Sequence, residues 1–205
     1  MVRVWLPDRP GALGQVASRI GAVKGDVVGI DILERGGGRA VDDLVVSLPG
    51  GSGVELLLAE IAQVDGVAVE DVRRVADDRP EPGVLALELA ARLAEADLDA
   101  RLELLCHEML ELVDGAWAVA FAVAAERALV TIGSPPDAGW LSAFLAGSSH
   151  LSEADQAAGA PGDLAWARLP TRDLAVAVGR AGRPFHTRER QHLNLLGRIA
   201  DSLLP

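Results

Sequence analysis

The sequence predicts an α+β chain of two consecutive units, and three observations carry that prediction. Residues 1–76 alternate between the two-residue period of strands and the 3.6-residue period of helices. Residues 77–83, DDRPEPG, combine charge, two prolines and a glycine, the composition of a linker. Residues 84–205 open on one long helical pattern over 84–114, then continue over 115–205 with paired alternating segments and a closing helix. A chain of 205 residues, 50% of them apolar, is long enough to bury two small cores.

In the first unit Val2, Val4 and Leu6 alternate with Arg3 and Trp5, a strand with one covered face that Pro7 and Pro10 end. Leu13, Val16, Ile20 and Val23 recur at spacings of three, four and three, one apolar stripe of a helix that starts near Gly11 and closes at Gly25. Val28, Ile30 and Ile32 alternate on the next strand. The Gly36-Gly37-Gly38 turn reverses the chain, and Leu44, Val46 and Leu48 alternate on the hairpin partner. Val54, Leu57, Leu58 and Ile61 mark a second helix, and Val67 with Val69 a final strand. This βαββαβ order is that of ferredoxin-like folds, in which both helices cover one sheet face. The other face is expected to be open and apolar, an association surface for a second copy or another domain.

In the second unit Leu98, Leu102, Leu105, Met109 and Leu112 follow spacings of four, three, four and three, the seam of a helix packed lengthwise on a partner helix or on its own domain. Ala116 to Ala124 and Ala128 to Gly133 form an antiparallel pair turning at Glu126-Arg127. Trp140 to Leu145 is a short helix. Ser148 to Asp163, rich in Ala, Gly and Ser without apolar rhythm, reads as a loop. Leu164 to Leu169 and Leu174 to Gly179 pair around Pro170 to Asp173. Thr187 is placed to cap a last helix carrying Leu193, Leu196, Ile199, Ala200 and Leu203 on one face.

Charge and cysteine content narrow the partners. With 30 acidic and 19 basic residues the net charge is −11, which repels a phosphate backbone and an anionic membrane surface. Arg180, Arg183, Arg188 and Arg190 are scattered, so neither nucleic acid nor membrane is expected as a partner. The lone Cys106 excludes an intramolecular disulfide and a multi-cysteine metal site, and fits a reducing compartment. MVRVWLPDRP has no apolar signal core, and no uncharged apolar run reaches the ~18 residues of a membrane span. A soluble, cytoplasmic protein is expected.

The string Leu6-Pro7-Asp8-Arg9-Pro10-Gly11-Ala12-Leu13, which follows a strand and opens an amphipathic helix, resembles the D-x-P-G-x-L signature of ACT domains. The resemblance extends over the whole βαββαβ order, about 75 residues. Pro10 and Gly11 let the backbone turn tightly and leave the first helical N–H groups unpaired, a docking point for a carboxylate. Asp8 adds an acceptor suited to an ammonium group, although an Asp at this place can instead cap the helix or set the turn. The resemblance implies a ligand held between two units of a homodimer. Asp8, Pro10, Gly11, Ala12 and Leu13 would come from one, and the strand centred on Val28, Gly29 and Ile30 from the other.

Arg183-Pro184-Phe185-His186-Thr187-Arg188-Glu189, after the strand Leu174 to Val178, is similar to the F-x-x-x-[ED] helix start of GAF domains, small α/β sensor modules. The similarity covers roughly residues 84–205. It does not extend to an N-K-x-F-D pattern, so it implies no cyclic nucleotide. Nor does one cysteine support the reductase chemistry of some GAF relatives, which needs a second thiol to resolve a disulfide.

The remaining chemistry-bearing residues have structural readings. Cys106 and His107 are adjacent on a helix and point ~100° apart. Ser148, Ser149 and His150 lack a G-x-S-x-G elbow. His186 and His192 are six apart, not the three or four that share a helix face. Asp42-Asp43 reads as a solvated strand edge, and Trp117, Trp140 and Trp166 as core packing rather than a second pocket. The expectation is a regulator with no catalytic residues, metal or cofactor. It would bind an amino acid or related metabolite and signal through an unknown protein partner, no output domain being recognisable. The alternative is a ligand-free dimerisation and docking scaffold for an enzyme or transcriptional regulator.

Overall fold

Alternating valines and leucines place strand β1 (Val2–Pro7) at the inside of the first sheet. In the computed structural model, which describes residues 1–51, 53–148 and 161–204, the chain divides into two units between Glu81 and Pro82. The first adds α1 (Ala12–Ala22), β2 (Asp26–Gly36), β3 (Arg39–Ser47), α2 (Val54–Ile61) and β4 (Ala68–Val72). Its sheet is antiparallel in the order β2-β3-β1-β4. Gly37 and Gly38, at φ 58° and 76°, make the β2 to β3 turn with a backbone that side chains rarely adopt. Val2, Val4, Leu6, Ala40 and Leu44 pack against Ala12, Val16 and Ile20 of α1 and Leu57 and Ile61 of α2. Leu13 and Val23 only flank this core.

The second face of that sheet is not the apolar surface the sequence led us to expect. Arg3, facing Asp43 and Asp71 across its two neighbours, holds the Asp43 carboxylate through Nε at 2.8 Å and Nη2 at 2.9 Å. Arg73 bonds Asp71 at 2.8 Å, and Trp5 donates its indole N–H to Glu70 at 2.8 Å. Asp42 and Asp43 likewise do not mark a solvated edge: β3 lies between β2 and β1, and both residues are buried. The charge of Asp43 is tolerated there because Arg3 satisfies it.

The second unit carries β5 (Trp117–Ala122), β6 (Arg127–Ile132), β7 (Leu164–Leu169) and β8 (Leu174–Gly179) in the antiparallel order β6-β5-β8-β7. Helices α3 (Pro82–Glu95), α4 (Arg101–Val113) and α6 (Thr187–Leu203) contribute to the core on one face, and α5 (Ala138–Ser148) to that on the other. The single helix expected over 84–114 is therefore two. A 3-10 turn at Leu98–Ala100 separates them and leaves Leu98 exposed, so the leucine seam begins with the half-buried Leu102 and becomes fully buried at Leu105 and Met109. Arg101 fastens this break by donating to the carbonyls of Ala94 and Ala96. Pro82 and Gly83, read as linker, form the first turn of α3, where proline costs no hydrogen bond.

Further differences lie on α6. Its N-cap is His186 and not Thr187, because Glu189 reaches back to accept from the His186 amide at 2.9 Å. Ile199 points outward, and Gly197 takes its place on the buried face, so close to β7 that a Cβ would lie 2.7 Å from that of Ala167. Of the expected loop from Ser148 to Asp163, residues 149–160, with Ser149 and His150, lie outside the described residues, and Ser148 ends α5. No helix among the described residues is long and apolar enough to cross a membrane.

Two expected outcomes follow from this packing. Gly179 lies opposite Trp117, and a Cβ there would fall 2.2 Å from two indole carbons. Gly179→Ala should lower stability in urea by about 1–3 kcal/mol, the usual cost of overpacking, whereas an unchanged midpoint would show that the ring has room to move. Glu108 on α4 is 1% exposed, and neither of its oxygens has a hydrogen-bond partner. Burial pushes its carboxyl from 4.5 up to about 7, with Arg92 opposing the rise from 3.8 Å away. A raised folded value means that this group stabilises fully below 4.5 and loses that contribution as pH rises through 7. Stability should fall by up to about 3 kcal/mol between those limits, at ~1.4 kcal/mol per unit. In Glu108→Gln this component should be missing from denaturation curves recorded across that range.

Candidate functional site

The loop between β1 and α1 is built by its two prolines and one glycine. After Pro7 leaves the sheet, the Asp8 amide donates to the Gly38 carbonyl at 2.9 Å and the Arg9 amide to the Pro7 carbonyl at 2.9 Å, tying the loop to the β2 to β3 turn. Gly11 then adopts φ 87° and serves as N-cap of α1 with no side-chain cap hydrogen bond. The Ala12 amide is used by the Arg9 carbonyl, and the first intrahelical bond runs from the Gln15 amide to the Gly11 carbonyl at 3.0 Å. Leu13 and Gly14 thus stand at the second and third helical positions, whose N–H groups have no carbonyl one turn earlier. Two amides at the positive end of a helix form a place for an anionic group.

The loop residues singled out in the sequence divide by environment. Asp8, Pro10 and Gly11 are exposed, Ala12 is buried in the core and Leu13 half-buried. Asp8 is not used as a helix cap, which leaves its carboxylate in solvent beside the turn. Val28 and Ile30 are 62% and 51% exposed on β2, an outer strand of the sheet. Gly29 faces Val45, and the pairing with β3 slips at Val28. These three residues do not converge on the loop of their own chain. The loop meets the far end of β2 at Gly38, and six or more residues at ~3.3 Å each put Ile30 roughly 20 Å away along the strand.

One residue of this region was misread in the sequence. Asp42 pairs laterally with Val4 of β1 and Ile32 of β2, and alternates along β3 with Ala40 and Leu44. Ala40, Leu44 and Val4 all belong to the helix-covered core, so Asp42 lies on the apolar face of the sheet. It is 3% exposed and its Oδ1 has no hydrogen-bond partner. Burial pushes its carboxyl above the usual range, Arg35 opposes this, and the charges of Asp8, Asp31 and Asp43 add to it. The signal was present in the sequence: the Leu44, Val46, Leu48 alternation, run backwards, lands on Asp42.

The other candidates are occupied structurally. Cys106 is fully buried and burial pushes its thiol up to about 12, which keeps it protonated, while His107 faces solvent. Ser148 spends its hydroxyl on the Leu145 carbonyl at 3.0 Å. His186 is buried beneath the start of α6 and His192 lies nearly two turns further on. Trp166 is buried, whereas Trp140 is 45% exposed and stacks on Phe144 at 5.4 Å. Among the described residues no group of three or more His, Cys, Asp or Glu is arranged to hold a metal ion.

Compared with family models, curated proteins and solved structures, the chain matches none.

Gly11 is the residue on which the loop turns, and its replacement can be separated from that of its neighbour. A side chain at 11 meets no atom within 4 Å but must accept φ 87°. Gly11→Val should therefore cost about 1–2 kcal/mol through backbone strain alone. Gly14 has neither a positive φ nor a close neighbour, and Gly14→Ala should stabilise α1 by up to about 1 kcal/mol. Thermal melts of the two variants moving in the same direction would contradict this account of the turn.

Proposed function

We propose that residues 1–76 are an ACT-like, ferredoxin-like sensing domain that binds a free amino acid or a similar small polar metabolite at the β1 to α1 loop. The observation that carries the reading is the start of α1: a left-handed Gly11, no side-chain cap, and two amides without an intrahelical partner beside the exposed Asp8. The amides of Leu13 and Gly14 suit a carboxylate and Asp8 suits an ammonium group. The strand order β2-β3-β1-β4 with both helices on one face agrees with this assignment. In the proposed homodimer, Val28, Gly29 and Ile30 of the second copy close the site, because the same residues of one chain lie too far along β2 to do so. Residues 84–205 act as a GAF-like docking or second sensing domain, and the output passes through a protein partner by a shift between dimer arrangements. The role is regulatory and not enzymatic.

A second reading, a ligand-free dimerisation and docking scaffold, draws support from the exposure of Val28 and Ile30 on an outer strand. Thermal-shift or calorimetric titration of the full chain with the twenty amino acids separates the two. The sensing reading expects about 2.7 kcal/mol of stabilisation at a hundredfold excess over the dissociation constant for at least one of them, lost in Gly11→Val. A flat response to all twenty would leave the scaffold.

A further inference from the structure

Helix α3 is apolar on two opposite faces. Leu85, Leu89 and Leu93 are buried in the core of the second unit, where α3 packs on α4 and α6 and these pack in turn on the sheet. At ~100° per residue, Val84, Leu87, Ala91 and Ala94 fall on the other side, and all four are exposed, Leu87 by 74% and Val84 by 47%. Their spacings of three, four and three are those of a heptad seam, the pattern one helix presents to a second lying along it. Leu98, exposed in the turn beyond, continues the spacing, and on the adjacent α6 Leu195 and Ile199 are exposed as well. A helix that is apolar on both faces calls for cover on both, and its own unit covers only one.

The charges beside the seam select what covers the other. Glu88 and Glu95 stand on one flank of it, and Arg92, on that same flank, bonds Glu111 of α4 at 2.9 Å. The acidic flank is therefore the α4 side, and α6, which exposes Arg198, lies on the other. When a second copy is set parallel on the first, about a two-fold axis along the seam, each acidic flank meets the α6 side of its partner. Set antiparallel, the two acidic flanks would meet each other. We propose that the exposed seam of α3 is a contact between two copies of this chain, the two α3 helices lying parallel, with Glu88 and Glu95 of each turned toward the Arg198 side of the other. The seam is short for a free coiled coil. Each α3, however, is already ordered by its own core, so pairing does not carry the cost of forming the helix. The contact lies wholly within the second unit and is independent of the amino-acid reading of the β1 to α1 loop.

Two variants of the full chain test it. Sedimentation of the wild type should show self-association at micromolar concentration, and Leu87→Glu, which puts a good helix former at an exposed position, should halve the mass at the same concentration. In a parallel pair, residue 87 of one copy lies beside residue 87 of the other. Cys106 is fully buried, so the introduced thiol of Leu87→Cys reacts without interference from it. Under mild oxidation Leu87→Cys should form a disulfide-linked dimer roughly tenfold faster than Leu56→Cys, whose exposed position lies on α2 of the first unit. Equal masses for wild type and Leu87→Glu overturn the contact and leave the seam to a different occupant. A halved mass without faster cross-linking at position 87 overturns the parallel arrangement.

Discussion

Burying a guanidinium obliges the chain to bring acceptors to it from several sides, and Arg180 organises the second unit in this way. It donates to the Val113 carbonyl at the end of α4, to the Arg183 and Pro184 carbonyls, and to both oxygens of Glu189 at 2.7 and 2.8 Å. Its plane also lies 4.1 Å from the centre of the Phe185 ring. The same Glu189 carboxylate accepts from the His186 amide and so starts α6. One side chain thereby joins the last strand, the end of α4 and the first turn of the C-terminal helix, and removing either partner would strand a buried charge. The arginines that looked scattered in the sequence are largely spent in this manner: Arg183 reaches the Asp114 carbonyl and Arg190 that of Leu164.

The first unit sets two adjacent aspartates against each other. On a strand, successive side chains point to opposite faces, so Asp43 meets Arg3 on one side while Asp42 enters the helix-covered core on the other. The contrast gives Asp42 its meaning. Both are nearly equally hidden, yet only Asp43 receives hydrogen bonds from an arginine. The Oδ1 of Asp42 thus stays without a hydrogen-bond partner inside the domain.

Much of the architecture was legible because it is written in periodicity. The alternation of Val2, Val4 and Leu6, the glycine turn at 36–38 and the β7 to β8 hairpin were all read with nearly their final bounds. What periodicity could not reveal was where a regular pattern is interrupted. Leu98 keeps the leucine spacing but sits in a 3-10 turn, since Asp97 adopts extended geometry and ends the helical path. Ile199 suits the α6 stripe by spacing, yet it is Gly197 that faces β7 on the buried side and Ile199 that is left outside. The charged face of the first sheet was missed because Arg3, Asp43 and Glu70 are far apart in sequence and cancel only once the strands are paired.

Glycine at position 197 also bears on how this sequence can vary. In an exposed helix alanine would be preferred by about 1 kcal/mol, and the surrounding turns of α6 would accept it. Here the helix backbone rests directly on Ala167, with Met109 bounding the same spot. Two small residues from distant segments therefore form a matched pair: enlarging one demands that the other, already at a methyl, shrink to nothing. Drift at either position is confined to joint changes, so the spacing between α6 and β7 should be among the slowest features of this fold to diverge.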